Sequence, residues 1–238
     1  MRIQVIPTAN HCKSVNFNNK TVVIIDVLRA TSVMTTALYN GAKAVLPVIS
    51  IEQALEEFKN YKPGEAMLCG ERNAIRIEGF DLGNSPLEYK RQFIQDKVMI
   101  LTTSNGTIAL NAAIEAKELM LASFLNISHV ALKLTKQSDD LIIVCSGTAG
   151  VFSMDDGMCA GMLISILSNK DEVIMDDLGL VLKSFYEENS QNIRSGLQNC
   201  NHLNYLIDNG FEKDIDFCLQ IDAFDNVPHL SGKFIVNT

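Results

Sequence analysis

The chain has 238 residues, 47% of them hydrophobic and 20% charged, enough for one large α/β domain or two closely packed lobes, and too apolar for disorder. A net charge of −8 argues against nucleic acid as a partner, and no apolar run reaches the length of a membrane span. Six scattered cysteines (12, 69, 145, 159, 200 and 218) with no C-x-x-C pair argue against a zinc knuckle and a disulfide scaffold.

Met1 to Pro7 lacks the apolar core and cleavage site of a secretion signal and reads as an edge strand, so the expected location is the cytoplasm. Val22-Val23-Ile24-Ile25 is a β-branched run that ends in Asp26. Arg29, Thr31 and Ser32 follow, then Val33, Met34, Ala37 and Leu38 at helical spacing. This pattern predicts a buried strand, a tight loop and a helix. An ionised Asp at the end of a buried strand costs desolvation unless it meets a cation or donors. Arg29 is one such partner, a bound ion with an anionic substrate is another, and a plain turn cap is the structural alternative. The helix N-terminus offers free N–H groups to an anion.

Ala44 to Val48 reads as the next strand. Ser50 and Gln53 then open a helix as a capping box. Tyr61-Lys62-Pro63-Gly64 is a turn, and Met67 to Gly70 a short strand. The run from Glu71 to Ser85 has little periodicity and holds Glu71, Arg72, Asp81, Asn84 and Ser85. Ile75, Ile77, Phe80 and Leu82 anchor it, which favours an ordered site loop. Ser85-Pro86-Leu87-Glu88 has the form of a helix start.

The strand, polar loop, helix pattern recurs twice. Val98 to Leu101 runs into Thr102-Thr103-Ser104-Asn105-Gly106-Thr107, with a small-residue helix through Ala109, Ala112, Ala113 and Ala116. Leu141 to Cys145 runs into Ser146-Gly147-Thr148-Ala149-Gly150, with a helix from about Ser153. In a mostly parallel sheet such loops gather at the carboxyl edge, where open α/β folds bind ligands. Asp156 reads equally as a capping-box partner of Ser153 and as a metal or substrate ligand. Gly157, Ala160 and Gly161 form a small-residue face suited to close packing on the sheet or between subunits, and a homodimer is expected. Helices are predicted over about 176–188 and 190–208. His202 on the second reads as a surface or internally satisfied residue. Phe211 to Pro228 alternates acids with apolar residues and reads as a terminal strand, with Asp214, Asp216 and Asp222 as solvated charges.

Carboxylates, arginines and hydroxyl-rich loops together suit phosphoryl transfer or hydrolysis with Mg²⁺, which prefers a few carboxylates and keeps several waters. Candidate ligands are Asp26, Glu71, Asp81 and Asp156. Four of the six arginines fall between positions 29 and 91, and arginine suits a bidentate grip on an anion. Asp26 has no second Asp two residues on, no Cys has an Arg six residues on, and there is no Arg-His pair and no P-loop. A dinucleotide-binding module is disfavoured because no G-x-G-x-x-G follows a strand. A sensor that binds a small phosphorylated acid without turnover is a further alternative.

Asp26-Val27-Leu28-Arg29-Ala30-Thr31, Gly70-Glu71-Arg72, the run from Gly79 to Pro86, Asn105-Gly106-Thr107 and Cys159-Ala160-Gly161 resemble the signature motifs of the 2-phosphosulfolactate phosphatase family. The resemblance extends in order from about residue 20 to Val227-Pro228. It implies an α/β/α fold and Mg²⁺-dependent hydrolysis of 2-phosphosulfolactate to sulfolactate and phosphate, a step towards coenzyme M. The chain departs from the family pattern in four places. Ala74 stands for a usual glycine, Ser32 and Ser104 for threonine, and Leu203-Asn204-Tyr205 for a glycine and basic residues after His202.

Residues and resemblance together give a three-layer α/β/α fold with a mostly parallel sheet. Asp26, Arg29 and Glu71 are expected to be catalytic. Thr31, Arg72, Asn84, Ser104, Asn105, Gly106 and Thr107 are expected to bind substrate, and Asp26, Asp81 and Asp156 to bind Mg²⁺. The expected partner is a small anionic phosphorylated molecule. Direct attack by a metal-associated water is favoured, with Asp26 or a Cys159 thiolate as the covalent rival.

Overall fold

The computed structural model describes residues 1–136, 140–169 and 172–237. Among these, short aliphatic runs form the strands β1 (Arg2–Ile6), β2 (Thr21–Ile25), β3 (Ala44–Pro47), β4 (Ala66–Arg72), β5 (Ile75–Arg76), β6 (Val98–Thr102), β7 (Glu118–Ala122), β8 (Leu141–Cys145), β9 (Ile174–Met175), β10 (His229–Ser231) and β11 (Phe234–Val236). The helices are α1 (Ala30–Tyr39), α2 (Ile51–Phe58), α3 (Arg91–Ile94), α4 (Gly106–Ala112), α5 (Ile127–Leu134), α6 (Met154–Ser168), α7 (Asp177–Asn189), α8 (Ile193–Gly196), α9 (Asn201–Asp208) and α10 (Glu212–Cys218).

The strands form one mixed sheet in the order β5-β4-β6-β3-β11-β10-β7-β2-β8-β1-β9. Two groups pair in parallel, β4-β6-β3 and β7-β2-β8-β1-β9. The antiparallel hairpin β10–β11 joins them through single pairings, Ile235 with Val45 and His229 with Met120. β2 lies deep in the sheet, and all five of its residues are buried. Its alternation divides the core. Val23 and Ile25 pack with α5, α6 and α7 on one face, while Val22 and Ile24 pack with α1 and α4 on the other. Each such side chain contributes roughly 1.5–3 kcal/mol of burial. That two-sided burial explains why the strand reads as a continuous apolar run, and it makes the fold a three-layer α/β/α arrangement.

Several local expectations change. β1 is not an edge strand, because β9 pairs outside it. β7 and α5 add to the elements read from the sequence, and β7 pairs along its whole length with β2. The span 190–208 splits into α8 and α9. The acid-rich segment after Phe211 is helix α10 rather than a strand, because Phe211, Ile215 and Cys218 share one inward helical face. The terminal strand arrives only at His229. Ser85 does not cap a helix; its hydroxyl donates to Asp214 (2.7 Å), and only a 3₁₀ turn follows.

The small-residue face of α6 is filled from within the chain. A Cβ on Gly161 would lie 2.0 Å from the Leu182 carbonyl oxygen of α7, and one on Gly157 would lie 2.4 Å from the Phe152 ring. All six cysteines are buried and unbridged. Among the described residues no helix is long and apolar enough to cross a membrane.

Candidate active site

A cavity of about 360 Å³ opens where the loops after β2, β6 and β8 meet the end of β4 and helix α9, a volume suited to a small ligand. Asp26 and Arg29 come from the first loop, Glu71 from β4, and Asn73, Ala74 and Asn84 from the segment after it. Thr103, Ser104 and Asn105 come from the loop after β6, Thr148 and Ala149 from the loop after β8, and His202 and Tyr205 from α9. The three polar loops thus converge as their common design predicts.

Asp26 is 7% exposed. Its Oδ1 accepts the Ala30 N–H (3.0 Å), so the carboxylate itself takes up the start of α1 that the sequence offers to a ligand anion. Gly106 lets the α4 loop close on it. A Cβ there would lie 2.6 Å from Asp26 Oδ2 and 2.5 Å from Ala30 Cβ. Burial, opposed by the Ala30 N–H and His202, pushes the Asp26 carboxyl up to about 6, with Asp155 and Glu71 adding repulsion. Glu71 accepts N–H bonds from Ser104 (2.9 Å) and Ala74 (2.9 Å), which ties two cavity walls together.

Arg29 is 2% exposed, and its guanidinium is gripped rather than free. It donates to Asp214 Oδ2 (2.5 Å) and the Ala74 carbonyl (3.0 Å) and stacks 4.1 Å from the Phe211 ring centre. Asp214 is therefore a buried counter-ion, not a solvated charge. Of the other two terminal acids, Asp216 pairs with Arg194 at the surface, and Asp222 accepts the Ser128 N–H at the start of α5 (2.8 Å). Arg29 lines the same cavity as Asp26 and Glu71, and its guanidinium has more N–H donors than these two bonds use.

His202 is also in the cavity, where its sequence suggests no role. Its Nδ1 stands 3.4 Å from Asp155 Oδ2, on the buried first turn of α6. Burial pulls the imidazole pKa down, but Asp155 and then Asp26 outweigh it and raise it above the ordinary value. The available signal was spacing. His202 and Tyr205 lie one turn apart on α9, beside the buried Leu203 and Leu206. Tyr205 donates its hydroxyl to the Asn73 carbonyl (3.1 Å). The departure at Ala74 also has a physical trace, since Ala74 sits at φ +63, the left-handed region that favours glycine.

The remaining candidates build the site or lie outside the cavity. Thr31 Oγ1 accepts the Asp26 N–H (3.0 Å) and fixes the β2–α1 turn. Thr107 and Thr103 exchange hydroxyl and amide bonds that shape the α4 loop. Arg72 braces β4 against β6 through the Glu71 carbonyl (2.7 Å) and Thr102 Oγ1 (3.0 Å), and it lines a separate surface depression. Asp81 is exposed and accepts the Leu68 N–H (2.8 Å). Asp156 is buried with its two oxygens on the Val27 and Gly147 N–H groups (2.9 Å each), so it locks two site loops rather than capping Ser153. Ser153 instead pairs with Asp155. Cys159 is fully buried, and burial with Asp156 and Asp155 pushes its thiol well up, away from the thiolate a nucleophile needs.

Asp26, Asp81 and Asp156 do not converge, and among the described residues no three His, Cys, Asp or Glu side chains gather as a metal-holding group. The donors that do face one space are the carboxylates of Asp26 and Glu71. An all-oxygen pair of this kind fits Mg²⁺, which takes one or two carboxylates and completes its shell with water and substrate oxygens. Among the described residues, Asn84 Oδ1 and Thr148 Oγ1 at the cavity have no hydrogen-bond partner and stand ready for a polar ligand.

Fold and cavity define an α/β protein with an acid-lined site for a small polar ligand. The profile of the family described as 2-phosphosulpholactate phosphatase matches residues 6–233. A protein of Caldanaerobacter subterraneus subsp. tengcongensis, named probable 2-phosphosulfolactate phosphatase, is 43% identical over 235 residues, which covers 99% of this chain and 98% of the relative. A Clostridium perfringens protein of the same name is 44% identical, covering 95% of this chain and 92% of the relative. One from Clostridium novyi is 40% identical, covering 96% of each. The chain belongs to the 2-phosphosulfolactate phosphatase family.

Proposed function

We propose that this protein is a phosphoric monoester hydrolase that cleaves 2-phosphosulfolactate to sulfolactate and phosphate with Mg²⁺, in a route of the coenzyme M type. The observation that carries the reading is the cavity where Asp26 and Glu71 face the guanidinium of Arg29, in a chain that matches the family over nearly its whole length. Mg²⁺, held by Asp26 and Glu71, would neutralise phosphoryl charge and activate water. Arg29, anchored by Asp214, holds the substrate's anionic groups through its remaining N–H donors, and Asn84, Ser104, Asn105 and Thr148 supply neutral contacts. The loops that Thr31, Thr107 and Asp156 lock keep these groups in position. With Cys159 sealed in the core, direct attack by water is favoured over a thiol phosphoenzyme.

The test is phosphate release from 2-phosphosulfolactate with Mg²⁺, then with EDTA, then with Mg²⁺ restored. Turnover that EDTA abolishes and Mg²⁺ restores supports the reading. Binding without turnover means a sensor. We also propose a cytoplasmic homodimer, formed without the α6 face, and a clean monomer by light scattering at micromolar concentration would remove the dimer.

A further inference from the structure

We propose that His202 is the catalytic acid of this site and gives its Nε2 proton to the departing oxygen of the phosphate ester, with Asp155 as its positioning residue. The inference rests on the phosphatase reading above and extends it to a residue outside the motifs.

The geometry carries it. His202 lines the cavity from α9, together with the strand-end carboxylates Asp26 and Glu71. Its side chain is 14% exposed, so it is largely sheltered yet in reach of a cavity ligand. Nδ1 stands 3.4 Å from Asp155 Oδ2, a charge contact in which neither atom has a hydrogen-bond partner among the described residues, and it leaves Nε2 as the ring nitrogen available to a substrate. Asp155 does not line the cavity itself; it is fully buried, with Ser153 and Cys200 at its other oxygen. A buried carboxylate directed at a cavity imidazole orients the ring and favours its charged form. The other charged groups around His202 are Asp26 at the end of β2, which also favours the imidazolium, and Arg29, which opposes it; Glu71 of β4 shares the cavity. The net direction is a pKa above the ordinary histidine value, which favours the protonated ring that an acid needs.

The chemistry explains why the site needs such a group. An alkoxide leaving from a secondary alcohol is a strong base, and Arg29, with any Mg²⁺ that Asp26 and Glu71 would hold, is placed for the phosphoryl end rather than for the leaving oxygen. In the step, the water oxygen bonds to phosphorus, the ester P–O bond breaks, and the Nε2 proton moves to the alkoxide. A dianionic ester, water and imidazolium become alcohol, H₂PO₄⁻ and neutral imidazole. The phosphate then returns one proton through solvent to His202.

The test compares two substrates on one enzyme sample with Mg²⁺ present. The first is 2-phosphosulfolactate, an alkyl ester with a poor leaving group. The second is 4-nitrophenyl phosphate, whose leaving group departs without a proton. His202→Gln should lower kcat on the alkyl ester by roughly 10²–10⁴-fold, the range of acid–base catalysis, and on the aryl ester by less than about tenfold. The fall of wild-type kcat/KM at high pH should vanish in His202→Gln. In Asp155→Asn it should move to lower pH, because the influence that raises the imidazole pKa is gone. Equal losses on both esters, or an unmoved basic limb in Asp155→Asn, would overturn the assignment while wild-type turnover leaves the phosphatase reading standing. Wild-type protein inert towards both esters would overturn both.

Discussion

Asp26→Asn should abolish activity and stabilise the fold, and the second effect has a calculable size. Burial raises the Asp26 carboxyl from 3.8 to about 6, so the folded protein disfavours its ionised form at neutral pH. At 1.36 kcal/mol per pH unit, that penalty is about 3 kcal/mol at pH 7.5. Asparagine removes the charge and keeps an oxygen for the Ala30 N–H. A group whose folded pKa is raised contributes most favourably below its unfolded value, and loses that contribution as pH rises through the folded value. The variant's advantage should therefore be about 3 kcal/mol at pH 7.5, about half that at pH 5, and well under 1 kcal/mol at pH 4. For a chain of this length, 3 kcal/mol is roughly 6–12 °C in Tm. The assay is thermal denaturation of both proteins across this pH range in EDTA, so that no bound cation holds the wild-type carboxylate. A variant no more stable than wild type at pH 7.5, or a gain that stays flat down to pH 4, would refute the picture of an ionised carboxylate held at a cost for catalysis.

Asp214→Ala leaves the Arg29 guanidinium buried without its counter-ion, and should cost about 3–5 kcal/mol in urea unfolding. Arg29→Lys loses the fork that spans Asp214 and Ala74, and should raise KM by roughly tenfold or more. Arg72→Ala should change KM less than about threefold, since Arg72 lies outside the cavity and a lost strand brace is not a lost substrate contact. Ala74→Gly should relieve the left-handed backbone at φ +63. The gain in unfolding free energy should be about 0.5–1 kcal/mol after the entropy of glycine is counted.

Much of this site was legible because strand ends announce themselves. Apolar runs that stop at Asp26, at Thr102 and at Ser146 mark the three loops, and in a sheet buried on both faces a polar residue at such a stop marks where the chain leaves the core. What the sequence hides is which polar group meets which. Asp156 and Asp81 carry the right chemistry in motif-like surroundings, yet neither lines the cavity: Asp156 is buried on the Val27 and Gly147 N–H groups, and Asp81 is exposed beside the Leu68 N–H. Arg72 adjoins Glu71 in sequence, but alternation along β4 sends the two side chains to different surfaces. His202 and Asp214, read as surface or solvated groups, and Asp155, given no reading, take their roles for the opposite reason. Each depends on a partner far along the chain: 47 residues separate Asp155 from His202, and 185 separate Arg29 from Asp214. Helices α9 and α10 carry His202 and Asp214 to the cavity, and a helix misread as a strand leaves Asp214 without any face to be on.

These late-arriving residues set the electrostatic balance of the cavity. Asp26 and Glu71 alone would repel a phosphorylated acid. Arg29 is the lining arginine, and Asp214 already offsets its charge. Among the described residues, the cavity therefore carries less net positive charge than a multiply anionic substrate calls for. Two sources can supply it: a divalent cation at the carboxylates, and the His202 imidazolium that Asp155 favours. Because the first comes and goes with Mg²⁺ and the second with pH, substrate affinity should depend on both, and the Mg²⁺ concentration needed for half-maximal activity should rise once His202 loses its proton. A titration of Mg²⁺ at pH 6.5 and at pH 9 measures this directly. A half-maximal concentration unchanged between the two, in wild type and in His202→Gln alike, would mean that the imidazolium does not share the task of holding the anion.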